Sequence, residues 1–187
     1  MKSITHTHNT LKNQLKFYEE RAKKEYLIWC KQVIDLIESF CSNHNKVSIN
    51  DIGCNYFQLY KEIQKRNLQS RYDYFGYDID KKFIEIGLKY FPELQDKYEI
   101  ADIQDVVPRK SQISIVSAVL EHTNNPTDML DNILKSDSNY IYLRTFVGKD
   151  NINYLMDDKT YVIEPYFINQ FSYDFLNEFF SKYNYEI

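Results

Sequence analysis

Strands that alternate with helices through the middle of this chain predict a Rossmann-like α/β fold: a doubly wound, mainly parallel sheet covered on both faces. Three observations carry that expectation. Apolar residues alternate through Val47-Ser48-Ile49-Asn50-Asp51-Ile52 into a turn at Gly53, and the next residues can be helical. A second apolar strand, Tyr72-Asp73-Tyr74-Phe75-Gly76-Tyr77, ends in an acid at Asp78. A compact apolar strand, Ile113-Ser114-Ile115-Val116, follows after another helical stretch.

At 187 residues, with 43% hydrophobic and 27% charged side chains, the chain suits one globular domain with a sizeable core. A net charge of −4 argues against a broad electrostatic grip on nucleic acid. Cys30, Cys41 and Cys54 are odd in number and form no CxxC pair, so reduced thiols are expected rather than a disulfide framework. They do not combine with His6, His8, His44 or His122 at zinc spacing, so no metal site is expected. His6 and His8 lie in a polar N-terminal stretch that reads as solvated tail. No basic-then-apolar leader opens the sequence and no apolar run approaches spanning length. A cytoplasmic protein without membrane association is the expectation.

The first element is helical, from Asn9 to about Phe40. Leu11, Leu15, Tyr18 and Ala22 step at helical spacing, and Tyr26, Trp29, Val33, Leu36 and Phe40 continue the stripe, as one helix or as two broken near Lys23-Lys24. After the opening strand comes a helix at Tyr56–Gln64, and after the second strand a helix over Lys81–Phe91 capped by Asp80. Tyr98–Ala101 makes a short third strand before Asp102. Gln112–Ala118 is the fourth, Pro126–Leu134 a helix, and Tyr140–Phe146 the fifth strand. Val147–Phe171 reads as an irregular aromatic-rich insertion, Tyr173–Tyr183 as a last helix, and Tyr185-Glu186-Ile187 as the start of a further strand. The expected organisation is one domain: an N-terminal helical cap (1–46), a cofactor-binding core (47–146), and a lid with the last helix (147–187).

Ligands of such sheets bind at the carboxyl ends of the strands. Asp51, Gly53, Asn55, Asp78, Asp102, Ala118 to His122 and Arg144 stand there. Gly53 permits close backbone approach, and the next helix offers free N–H groups. Asp78 sits close to the ~20-residue offset at which an acid grips ribose hydroxyls, because a carboxylate accepts two hydrogen bonds from a diol. Asp102 can accept from an adenine amino group, with the Ile103 N–H facing a ring nitrogen. Each has a plainer reading, as an ordinary turn glycine or a strand-end acid.

The succession DIGCN (51–55), FGYDID (75–80), ADIQD (101–105) and SIVSAVLEHTNNP (114–126) resembles the class I S-adenosylmethionine-dependent methyltransferases. The resemblance covers roughly Val47 to Phe146 and, more faintly, the last helix. It implies that Asp51, Gly53 and Asn55 surround the methionine part of S-adenosyl-L-methionine. It places Asp78 with Ile79 at the ribose, Asp102 with Ile103 at the adenine, and the Ala118 backbone at the amino group. Two departures stand out. The family's turn has two or three glycines, whereas Asn55 and Phe57 occupy the later positions here. Asn tolerates positive φ, but Phe57 is expected to disturb the turn. The family sheet also ends in an antiparallel pair, so either the chain is trimmed or its sheet is shortened at the C-terminus.

An NAD-type dehydrogenase would want GxGxxG, which Gly53 to Gln58 does not supply. The Asn/Asp-Pro-Pro-aromatic turn of nucleic-acid amine methylation is absent at Ser117-Ala118-Val119-Leu120. The expectation is methyl transfer to a small-molecule acceptor through oxygen, a sugar or surface-glycan precursor for example. A non-catalytic binding module on the same fold is the alternative. His122 is the candidate general base, Arg144 the candidate grip on an anionic acceptor, and Tyr18 a ring that can close over the sulfonium and acceptor.

Overall fold

The computed structural model describes residues 6–7, 9–24 and 27–187. Tyr26 of the expected helical stripe and His8 of the expected tail lie outside the described residues. At its centre stands a five-stranded sheet in the order β3-β2-β1-β4-β5, built from β1 (Val47–Ile52), β2 (Tyr72–Asp78), β3 (Tyr98–Ile100), β4 (Ile113–Ser117) and β5 (Tyr140–Arg144). Every pairing in it is parallel. The order reverses between β1 and β4, which opens a crevice at their carboxyl ends.

Helices cover both faces, as near-continuous apolar strands require. On one face α2 (Ile28–Phe40), α3 (Gln58–Lys65) and α4 (Lys81–Tyr90) bury Val33, Ile34, Leu59, Ile63 and Ile84 against Val47 and Ile49. On the other, α5 (Pro126–Lys135) and α6 (Tyr173–Ser181) bury Met129, Leu130, Ile133, Leu176 and Phe180 against Val116. Each such side chain contributes about 1.5–3 kcal/mol of transfer free energy. Local chemistry sets the helix starts. Asp80 accepts from the Lys82 N–H at 2.9 Å, Ser172 accepts from the Phe175 N–H at 3.1 Å, and Pro126 takes the first turn of α5.

The N-terminal helical segment is two helices, α1 (Gln14–Lys24) and α2, so the break falls where the lysine pair stands. It starts later than Asn9. Asn13 has φ 61°, which stops helical continuation, and Leu11 leaves the apolar stripe to bridge Val162 in antiparallel fashion.

The expected irregular insertion is instead ordered strand. Beyond β6 (Val147–Gly148), β7 (Ile152–Met156) and β8 (Tyr166–Ser172) form an antiparallel hairpin in a second sheet of order β6-β8-β7. Its alternation is hard to see because β7 is mostly exposed and carries apolar residues on both faces. The Ile163 N–H donates to the Thr10 carbonyl at 2.9 Å, which ties the hairpin's connection to the N-terminal segment. Residues 185–187 do not form the strand expected there.

Phe57 does not disturb the turn after β1. Gly53, Asn55 and Phe57 have φ of 72°, 54° and 63°, so the backbone takes the left-handed conformation three times, as three glycines would allow. The strain at Phe57 is offset by where its ring goes. It is fully buried, in space left open by Gly76 on β2 and Gly87 on α4. A Cβ at Gly87 would stand 2.5 Å from Phe57 Cδ2, and one at Gly76 would stand 3.2 Å from Phe57 Cε1. Gly87→Ala is therefore expected to lower stability by about 1–3 kcal/mol through overpacking. The loss should shrink in a Phe57→Gly background, because the two residues share one space. Urea unfolding of the four proteins in this cycle measures both; equal losses in the two backgrounds would show that the ring is not the obstacle.

Candidate active site

The carboxyl ends of β1, β2 and β4, closed by α1 and the residue-6 segment, enclose a cavity of about 430 Å³. That volume lies in the range of small-molecule and cofactor pockets. Gly53, Asn55, Asp78, Ile79, Asp102, Ile103, Ala118, His122, Arg144 and Tyr18 all line it. Residues scattered over the sequence are thus brought to one place by the sheet topology.

Asp51 is the exception among the predicted site residues. It does not line the cavity but lies behind its wall, 2% exposed, where the Tyr74 hydroxyl donates to it at 2.7 Å. The physical reason is the strand's alternation: Ile52 and Gly53 reach the cavity, whereas the Asp51 side chain turns into the layer under α2 and α3. Its role is to anchor β1 to β2 beneath the turn.

Asp78 holds the turn itself. Its Oδ2 accepts the Asn55 N–H at 2.7 Å and its Oδ1 the Asp80 N–H at 2.8 Å. Tyr77 assists from the backbone, its carbonyl accepting from the Gly53 and Cys54 N–H groups at 2.8 and 2.9 Å. A carboxylate has about four lone-pair positions, so Asp78 retains acceptor capacity for a diol. Asp102 is partly engaged, accepting the Gln104 N–H at 3.0 Å and the Gln104 side-chain amide at 3.1 Å. Ile79, Phe83, Ile103 and Met129 add apolar lining to the same cavity. Acids together with apolar surface match the chemistry of a nucleoside.

At the far side His122 ends a single 3-10 turn, Leu120–His122, after β4. Ala118, just before it, has φ 57°, a strained value for a residue with a Cβ and a common mark of functional sites. His122 Nδ1 lies 3.1 Å from the Phe167 carbonyl on β8. A carbonyl only accepts, so Nδ1 carries the hydrogen, and in the neutral ring Nε2 keeps the lone pair. Arg144 donates from Nε to the Ser117 hydroxyl at 2.7 Å and lies over the Trp29 ring at 5.5 Å. Tyr18 packs edge-on against Phe83 at 4.8 Å.

His6 corrects the reading of the N-terminus as a solvated tail. Its ring lines the cavity, 5.1 Å from His122 and 5.1 Å edge-on from Tyr166, and receives the Gln14 side-chain amide at 3.3 Å. Burial, then the neighbouring His122, push its pKa down to about 4, so it is neutral near pH 7. Nothing in a polar N-terminal stretch signals such a position. Trp29 and Arg21 also line the cavity. Trp29 was legible only as a member of a helical stripe, and Arg21 follows Tyr18 by one helical turn.

The buried acids have a measurable consequence. Burial pushes the carboxyls of Asp51 and Asp78 up from an ordinary 3.8 to about 7, against the hydrogen bonds that favour ionisation. The folded protein then binds these protons more tightly than the unfolded chain. The resulting stability is fully present below about pH 4 and is lost as pH rises through about 7. Asp51→Asn keeps an acceptor for Tyr74 and should remove roughly half of this fall in stability between pH 4 and 7. Urea midpoints across that range test it; an unchanged slope would mean that Asp51 titrates normally.

No protein-family model matches the chain, and no curated protein sequence matches it. Solved structures do. The chain is 9% identical to Burkholderia thailandensis 1,6-didemethyltoxoflavin-N1-methyltransferase, with 92% of this chain and 76% of that one covered and a TM-score of 0.55. It is 12% identical to magnesium protoporphyrin IX methyltransferase from Synechocystis PCC 6803, covering 82% and 89% at a TM-score of 0.51. Against the plantazolicin methyltransferase BpumL it is 19% identical over 67% of this chain, also at 0.51. There it spans about half, 49%, of the other chain's length. These likenesses show the fold: it is the Rossmann-like fold of class I S-adenosylmethionine-dependent methyltransferases.

Proposed function

We propose that this chain is an S-adenosyl-L-methionine-dependent methyltransferase that acts on a small-molecule acceptor through oxygen. The observation that carries the reading is the single cavity into which four strand ends deliver a glycine turn, two acids together with apolar lining, and a histidine. The fold it shares with structures solved with S-adenosylmethionine or S-adenosylhomocysteine supports it. A non-catalytic binding module was the alternative suggested by the missing glycines. The turn's three left-handed residues speak against it, since the backbone takes the left-handed conformation without the missing glycines.

Bound S-adenosyl-L-methionine would supply an electrophilic methyl group. Asn55 and the Gly53 backbone would hold its methionine part, Asp78 and Ile79 the ribose, Asp102 and Ile103 the adenine, and the Ala118 backbone the amino group. Tyr18 would close over the reacting centre, and Arg144 would hold an anionic group of the acceptor by a bidentate contact. His122 Nε2 would accept the hydroxyl proton as the acceptor oxygen attacks, a contribution of about 10²–10⁴-fold. Alignment and exclusion of water would supply the rest. The lid is the hairpin of β7 and β8 together with the N-terminal segment. Their joining through Leu11, Val162 and Thr10 makes them one covering piece. Among the described residues no helix is long and apolar enough to cross a membrane.

Calorimetric titration with S-adenosylhomocysteine should show one saturable site. Asp78→Ala should weaken it by roughly 1–3 kcal/mol, the range for hydrogen bonds to a charged group. Absence of saturable binding would favour the binding-module alternative, and unchanged affinity in the variant would remove Asp78 from the ribose. With an acceptor in hand, His122→Asn should slow single-turnover methylation by about 10²–10⁴-fold while cofactor affinity holds. Arg144→Gln should raise the acceptor KM; a change within a few-fold in either case would assign that residue to structure.

A further inference from the structure

The turn that carries His122 is held from within, the Thr123 hydroxyl donating to the Leu120 carbonyl at 3.1 Å, and also from the hairpin. Its backbone carbonyls at Leu120 and Thr123 point into a buried space, and both accept from one side chain on the hairpin. Asn169, 1% exposed on β8, donates from Nδ2 to Thr123 O at 2.7 Å and to Leu120 O at 3.3 Å. Its own carbonyl is occupied by Asn153 Nδ2 at 2.6 Å, and Asn153 is its direct partner in the β7–β8 register. That second bond decides which way the Asn169 amide faces. With Oδ1 held by a donor, the NH₂ end must meet the two carbonyls, which could not accept from an oxygen. Two residues earlier on the same strand, the Phe167 carbonyl accepts from His122 Nδ1.

We propose that Asn169 is a positioning residue for His122: oriented by Asn153, it clasps both ends of the Leu120–His122 turn to the hairpin, so that the imidazole reaches the Phe167 carbonyl and keeps its Nε2 lone pair for the cavity. This rests on His122 as the reacting base and adds the element that sets its tautomer. The hairpin is then part of the catalytic apparatus as well as a cover. A histidine without a fixed Nδ1 partner distributes its hydrogen over both nitrogens, and the Nε2–H form cannot accept a proton there. The remaining face of the ring is against Tyr166 and His6, and burial keeps His6 neutral near pH 7.

The test needs no acceptor. Two-bond ¹H–¹⁵N correlation spectra distinguish the tautomers of each histidine, with His122 assigned from the His122→Asn protein. In the parent protein at a pH where the ring is neutral, His122 should be in the Nδ1–H form. Asn169→Asp keeps the shape, removes the NH₂ donor and sets oxygen against two carbonyls. It should bring in Nε2–H signals for His122 while S-adenosylhomocysteine affinity stays within about threefold, since Asn169 bonds the turn only at Leu120 and Thr123, beyond the Ala118 backbone. Asn153→Ala, on an exposed strand position, does not enter the core and should give a smaller shift in the same direction. If Asn169→Asp fails to fold, the Asn153 variant carries the test. His122 remaining wholly Nδ1–H in the folded variants would overturn the proposal. So would loss of cofactor binding in step with the tautomer change, which would mark a general collapse. Failure of the parent to bind S-adenosylhomocysteine would instead count against the methyltransferase reading and leave the tautomer result standing.

Discussion

The left-handed turn between β1 and α3 is the constraint on which the rest of the molecule depends. Three residues at positive φ within five positions bring the chain sharply from a buried strand into a helix and leave backbone groups facing the crevice. Only one of the three is glycine. The other two are held by different means. Asn55 satisfies itself locally, its Oδ1 accepting the Tyr56 N–H at 2.9 Å, while its own N–H goes to Asp78. Phe57 is held by packing, with the glycines that the turn lacks standing at Gly76 and Gly87, where its ring needs room. Strain at a functional turn is thus countered by burying a large aromatic side chain. A substitution that frees the backbone at Phe57 would also empty the space between β2 and α4.

That arrangement explains why two acids are tolerated in a nearly dry layer. Asp78 accepts two backbone N–H groups, and Asp51 accepts a tyrosine hydroxyl, so neither lacks partners. Yet burial raises both toward neutrality, and a neighbouring charge adds to it, Asp78 acting on Asp51 and Asp80 on Asp78. The carboxyl group that holds the turn is also the one proposed to meet a ligand's hydroxyls. On that reading binding and the shape of the turn would be coupled through a single side chain, with the proton on Asp78 linked to both.

The sheet and its crevice were legible in the sequence because they rest on short-range patterns. Alternation fixes β1 and β4, the Asp80 cap fixes α4, and strand-end acids mark the crevice because topology brings all carboxyl ends to one side. What was hidden depends on contacts distant in sequence. Asp51 looked like a ligand-binding acid, but the side-chain alternation of its strand aims it beneath the wall. His6 looked like tail, but it packs on Tyr166, far away in the chain. The β7–β8 hairpin escaped because β7 is largely exposed and shows no clean period, while a buried Asn gives no apolar signal at all. Phe57 was misjudged because glycines on other elements make its space.

The charged groups of the cavity lining come from different elements. The end of β2 and the segment after β3 contribute Asp78 and Asp102, the acids of the lining. The helical segment, the turn after β4 and the end of β5 contribute Arg21, Arg144, His6 and His122. In a partly enclosed site such fields are screened less than at the surface. On the proposed reading, a cationic ligand beside Asp78 and Asp102 would be favoured by charge as well as by shape. An acceptor beside His122 would meet the Arg144 guanidinium and, in His6, a histidine that burial keeps neutral. Such surroundings would disfavour a protonated amine and favour a neutral hydroxyl compound or one with an anionic group.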